Sequence, residues 1–131
     1  MLIPATKYRD PEAALTFLTG TLGMTADAVF RDEAGAIVHA QPCIGRGMLM
    51  FGPDAETPFQ AYMIAPSEAC GRETTTVYAV VDDVAHRYTR AKDAGAEIIL
   101  PLEAQPQGGS SFSVRDPEGH IFTFGDYDPF A

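Results

Sequence analysis

Basic residues are scarce in this chain: nine Lys and Arg stand against eighteen Asp and Glu, a formal net charge of −9. Non-specific nucleic-acid binding draws its affinity from clustered cations that displace counterions, so the composition speaks against that partner. The acidity serves solubility, and it would also steer a cationic ligand over long range. Long apolar runs are missing as well. None approaches the roughly 20 residues that cross a bilayer, and no basic segment leads into an apolar one at the start. A cytoplasmic protein without membrane contact is the expectation. Cysteine is limited to Cys43 and Cys70, which have no zinc-type spacing and no adjacent basic residue to activate a thiolate. Both are expected as reduced thiols. No Gly-rich loop follows a strand to cradle phosphate, and no nucleophile elbow is present; Gly108-Gly109-Ser110-Ser111 reads as a hairpin connection.

What is present suits one globular domain. The 131 residues are 46% hydrophobic and 21% charged, enough for a core of useful size. Ten prolines and twelve glycines favour many turns, hence short strands over a helical bundle.

Asp10-Pro11-Glu12 is a helix start, with Asp as cap, Pro in the first turn and an early acid that suits the dipole. Leu15, Leu18 and Leu22 recur at helical spacing and Gly23 closes the segment. Asp82-Asp83 opens a second helix with Val84, Tyr88 and Ala91 on one face and Gly95 at its end. Asp10 and Asp83 lie 73 residues apart. Strands are expected over Leu2–Tyr8, Thr25–Arg31, Ala36–Cys43 and Gly47–Gly52, then over Thr75–Val81, Glu97–Leu102, Ser110–Arg115 and His120–Asp126. The last turn of each set, near Gly45 and near Glu118, falls 35 residues beyond its helix start. Two landmarks share one period. The chain therefore reads as an α+β fold of two βαβββ repeats, about 1–52 and about 75–126, joined by a Pro- and Gly-rich linker at about 53–74.

Strand alternation sorts the side chains. Phe122 and Phe124 oppose Ile121 and Thr123; Leu49 and Phe51 oppose Met48 and Met50; Val77, Ala79 and Val81 oppose Thr76, Tyr78 and Val80. One set packs under the helices and the other lines whatever cavity the sheets enclose.

Tyr8-Arg9-Asp10 running into the first helix, Ala91-Lys92-Asp93-Ala94-Gly95-Ala96-Glu97 closing the second, and Arg115-Asp116-Pro117-Glu118-Gly119-His120 before the last strand resemble the vicinal-oxygen-chelate superfamily. That superfamily includes glyoxalase I, extradiol dioxygenases, fosfomycin-resistance enzymes and bleomycin-resistance proteins. The ending Phe124-Gly125-Asp126-Tyr127-Asp128-Pro129-Phe130 is similar to its small glyoxalase/bleomycin-resistance-like branch. The resemblance spans essentially the whole chain. It implies curved mixed sheets that form cups, and a homodimer. It also implies that metal ligands, where a member has them, sit at the places occupied here by Ile3, Met50, Thr76 and Thr123. None of these is a strong donor to a divalent ion. No metal, cofactor or catalytic residue is expected.

The expected function is metal-independent binding of an apolar or cationic small molecule, in the manner of bleomycin-resistance proteins. The candidate binding set is Ile3, Met48, Met50, Thr76, Tyr78 and Thr123, with Tyr62 and its neighbour Met63 closing the mouth. Two alternatives stand beside it: a glyoxalase-like lyase or isomerase with a non-standard metal site, and a structural dimer whose core is filled and holds no ligand. His86 is expected on the helix surface, His120 off the cup face, and His39 at a surface or edge position, with a general-base role as its alternative. Arg115 is expected to pair locally with Asp116 or Glu118, with a ligand anion as the other choice.

Overall fold

The structure is a computed structural model that describes residues 1–131. Its strands and helices follow the order β1 (Ala5–Tyr8), α1 (Pro11–Thr16), β2 (Thr25–Arg31), β3 (Ile37–Ile44), β4 (Gly47–Met48), β5 (Met50–Pro53), β6 (Val77–Val80), α2 (Val84–Asp93), β7 (Glu97–Ala104), β8 (Ser110–Arg115) and β9 (Ile121–Gly125). They form two mixed sheets of the same design. One runs β1-β5-β3-β2 with β4 on β3, the other β6-β9-β8-β7. In each the first strand lies parallel to the last and the rest are antiparallel. This is the expected doubled βαβββ architecture.

The 73-residue period extends to individual hydrogen bonds. Ala5 registers with Met50 and Tyr78 with Thr123; Thr6 registers with Phe51 and Ala79 with Phe124. In the first hairpin Asp32 N donates to Ala36 O at 2.9 Å and Gly35 N to Asp32 O at 3.0 Å. In the second, Gln105 N donates to Gly109 O at 2.9 Å and Gly108 N to Gln105 O at 3.0 Å.

Some boundaries differ from the sequence reading. The first strand begins at Ala5, not Leu2, because Pro4 has no N–H and contributes only its carbonyl, to Met50 N. The expected strand Gly47–Gly52 breaks at Leu49, which turns its N–H to Pro42 O and buries its side chain. Asp83 does not cap α2 with its side chain; it binds Arg87 Nε at 2.6 Å. Burial alone would raise the Asp83 pKa, but the Arg87 hydrogen bond and charge outweigh it and hold the carboxyl below its ordinary value.

The first helix also ends differently. After six residues it widens into a π turn over Phe17–Thr21, with Leu22 N bonded to Phe17 O at 3.1 Å. Carbonyls at a helix end need donors from elsewhere. Arg90 supplies them to Gly20 O (2.9 Å) and Thr19 O (3.4 Å), and Arg87 to Leu22 O (3.1 Å). The two arginines of α2 thus tie the units together.

Each helix covers one sheet face: α1 lies on β1, β3 and β5, and α2 on β7 and β8. Leu18, Leu49 and Phe51 are buried in the first unit, Phe112, Val114, Phe122 and Phe124 in the second, and all belong to one continuous core. Phe112 stacks on Phe124 at 5.4 Å, with Tyr88 of α2 against Phe112. The opposite sheet faces carry no α-helix.

Candidate functional site

On the uncovered face of the second unit one row crosses all four strands: Tyr78 beside Thr123, Thr123 beside Ser113, Ser113 beside Leu100. Ser113 Oγ and Thr123 Oγ1 share a hydrogen bond of 2.7 Å, and Tyr78 OH donates to the Tyr127 carbonyl at 3.0 Å. Gly125 lets the Tyr78 ring lie across β9, since a Cβ there would collide with its hydroxyl. Burial first, and then Asp126, raise the Tyr78 pKa, so the phenol stays protonated. Leu100 is 61% exposed at the end of this row.

The uncovered face of the first unit is a pocket of about 230 Å³. Ala5 beside Met50 and Lys7 beside Gly52 form its floor, with Val38 and His39 from β3. The linker makes the roof. Thr57 caps a short 3₁₀ turn at Pro58–Tyr62, its hydroxyl accepting from Gln60 N at 3.2 Å, and this places Phe59 and Met63 over the sheet. His39 Nε2 lies 3.1 Å from Gln41 Oε1 and its ring leans on Phe30, so the imidazole is held against the wall.

The sequence-derived set is divided among three places. Met50 lines the pocket of the first unit. Met48 and Tyr78 meet in a separate groove of about 550 Å³ between the tip of β3–β4 and β6, with Leu2, Val80 and Phe130. Thr123 sits in the hydroxyl row. Ile3 and Thr76 both fall ahead of their strands and are exposed, displaced alike as the period requires. Tyr62 is 86% exposed and does not line the pocket; Met63, expected beside it, does, joined at the rim by Phe59. Lys7 went unremarked in the sequence, although it shares strand parity with Ile3 and Ala5.

A polar seam binds the Asp116–Gly119 turn to the end of β1. Tyr8 OH donates to Asp116 Oδ2 at 2.6 Å, and Glu118 accepts from Arg9 N (2.7 Å) and Asp10 N (2.9 Å). Asp116 also accepts from Glu118 N and His120 N. Burial raises the Asp116 pKa despite these donors, and burial plus the Asp116 charge raises that of Tyr8. Tyr8 therefore remains a donor. His120 lies in this seam, off the uncovered faces, with Nδ1 donating to Glu73 at 2.9 Å and its ring edge-on to Tyr8. Arg115 does not pair with Asp116 or Glu118; its partners are Glu97 at 3.0 Å and the carbonyls of Gly71 and Gly119. His86 is exposed, as expected. Burial, with Asp27 adding, pushes the Cys43 thiol up, which suppresses the thiolate; Cys70 is exposed, and both thiols are free.

No group of three or more His, Cys, Asp or Glu side chains is placed to hold a metal ion. The residues at the ligand-equivalent places are Ile, Met, Thr and Thr, and they do not fit the divalent cation of the related metalloenzymes. No helix is long and apolar enough to cross a membrane.

Comparison with known proteins places this geometry. TioX from Micromonospora sp. ML1 superimposes with a TM-score of 0.74 at 32% identity, over 95% of this chain and 94% of that one. A glyoxalase/bleomycin resistance protein from Streptomyces sp. CB03234 superimposes at 0.66 with 16% identity, over 94% and 96%, a likeness of fold alone. Uncharacterized proteins of Mycobacterium bovis and Mycobacterium tuberculosis are 30% identical over 91 residues, 70% of this chain. The match spans 59% and 53% of their lengths, so the chain accounts for little more than half of these curated relatives. A sequence model of the Glyoxalase/Bleomycin resistance protein/Dioxygenase superfamily matches residues 7–124. With that match running from β1 to β9 and both sheets in the same strand order, the chain belongs to the Glyoxalase/Bleomycin resistance protein/Dioxygenase superfamily.

Proposed function

We propose that the protein is a metal-independent binder of a small, largely apolar molecule, held on the uncovered sheet faces without a chemical step. The observation that carries this reading is the pocket over Met50, roofed by Phe59 and Met63. Small-molecule sites are concave and mostly apolar with a few polar anchors, and thioethers repack around irregular guests. The ligand-equivalent strand positions offer no strong donor, which supports binding by shape over chelation. The net charge of −9 draws cations from a distance, but the charge at the pocket itself is that of Lys7.

A second copy of the chain completes the picture. Tyr78 and Val80 on one edge of the second sheet and Leu100 on the other are exposed apolar side chains, and a homodimer would cover them and deepen the cup. Light scattering at micromolar concentration checks this, with the dimer mass expected.

The test of binding is a thermal-shift screen of chelator-treated protein against hydrophobic metabolites and cationic glycopeptides, since a ligand of the native state raises apparent stability by mass action. Shifts without metal support the reading. Lactoylglutathione formation on adding Ni, Co, Mn, Zn or Fe would replace it with a lyase, and silence across a broad library with a filled structural dimer.

A further inference from the structure

Most basic side chains of this chain have a partner. Arg9 pairs with Asp54 and Glu68, Arg31 with Glu12, Arg87 with Asp83 and Arg115 with Glu97. Arg90 serves the carbonyls at the end of the π turn, and Lys92 lies over the Tyr88 ring. Lys7 is different. It forms no ion pair and its ammonium no hydrogen bond with the protein, although the chain carries twice as many acids as bases. It is half-buried, and it lies on the floor of the pocket beneath Phe59 and Met63.

Its ammonium reaches over Gly52. Lys7 and Gly52 are register partners on adjacent parallel strands, and a Cβ on Gly52 would come within 3.9 Å of Lys7 Nζ. The glycine leaves a bare stretch of floor that the ammonium covers. The remaining lining is mainly apolar, with Met50 and Val38 among it, and His39 is already engaged by Gln41. A cationic guest in this space would meet a like charge partly shielded from water, which repels it. An acidic guest would gain a charge-assisted hydrogen bond that nothing in the protein supplies.

We propose that the pocket of the first unit takes a small organic anion, its acidic group held by Lys7 Nζ and its apolar body lodged between Met50, Phe59 and Met63. This rests on the reading of that pocket as a ligand site and names the class of ligand. Lys7 is the residue that sets the charge preference.

The test compares naphthoate, naphthalenemethanol and naphthylmethylammonium, one apolar body with three head groups, titrated calorimetrically into chelator-treated full-length protein. Naphthoate is expected to bind at least about tenfold tighter than either counterpart, the scale of one charge-assisted contact. Lys7→Met should erase that preference while leaving the affinity for naphthalenemethanol within about twofold, and Lys7→Arg should restore it. Equal or tighter binding of the alcohol or the ammonium, or a preference for naphthoate that survives in Lys7→Met, overturns the anion assignment and leaves the pocket standing. Failure of all three at millimolar concentration overturns the pocket itself, and the assignment with it.

Discussion

The two units share a frame down to the register of their parallel strand pairs, β1–β5 and β6–β9, yet the side chains on their uncovered faces differ in chemistry. Where the first unit has Ala5 beside Met50, the second has Tyr78 beside Thr123. One face is roofed by the linker and carries a free ammonium; the other is open and carries hydroxyls that already satisfy one another. The covered faces keep their apolar character even where the residue changes, as at Leu49 and Phe122, both buried. Phe51 and Phe124 occupy equivalent places in the period, and both are 1% exposed. Packing against a helix fixes the residues beneath it, while a face without one is free to be written for a ligand.

The strongest challenge to this contrast is Phe124→Ala. It removes a ring stacked on Phe112 from the continuous core and should cost about 3–5 kcal/mol. Its neighbour on the other face should behave differently: Thr123→Ala loses one hydroxyl pair and should cost about 1 kcal/mol. Urea denaturation of both variants measures the difference. Equal losses would mean that the two faces do not divide the labour as described.

A smaller effect sharpens the contrast between the two hairpin tips. Asp116–Gly119 of the second unit docks on Tyr8, whereas the equivalent tip of the first unit, near Gly45, lines open grooves beside β6. Tyr8→Phe leaves a buried carboxylate short of a donor and should destabilise by about 1–3 kcal/mol. Gly45→Ala, which meets nothing within 4 Å, should cost only its backbone strain at φ +53°, about 1 kcal/mol.

Asp116 also gives a pH dependence with a definite sign. Its pKa is raised on folding, so the native state holds the proton more firmly than the unfolded chain. Its stabilising contribution is fully present below the ordinary carboxylate value of 3.8 and is lost as pH rises through the raised native value. In Asp116→Asn that fall with rising pH should vanish from the stability profile. A profile unchanged by the substitution would show that Asp116 is not the group responsible. The smallest expected effect is that of chelator: treatment with EDTA should leave the melting temperature where it was, because no donor cluster awaits a metal.

Much of this was legible in the chain. Asp10 and Asp83 announced the repeat, the Asp116–Gly119 turn its last hairpin, and alternation separated Phe122 and Phe124 from Thr123. These are local signals, spaced by helix and strand periods. The seam was not legible, because Tyr8 and Asp116 are 108 residues apart and no short-range pattern records their meeting. Of the two linker residues expected at the mouth, Met63 lines the pocket and Tyr62 does not, because the 3₁₀ turn that Thr57 and Pro58 open leaves Tyr62 86% exposed and sets Phe59, itself 65% exposed, at the rim. Ile3 lies ahead of a strand that Pro4 cuts short, and Lys7, two positions beyond Ala5 on the same face, belongs to no motif or ligand spacing that would mark it in the sequence.

The most direct test of ligand binding on the uncovered faces uses the methionine methyl groups. With ¹³C-methyl methionine in chelator-treated protein, titration with naphthoate should shift the Met50 and Met63 resonances and leave that of Met24, buried in the shared core, in place. Resonances of Met50 and Met63 that stay fixed throughout, or move only once a divalent metal is added, would contradict the account.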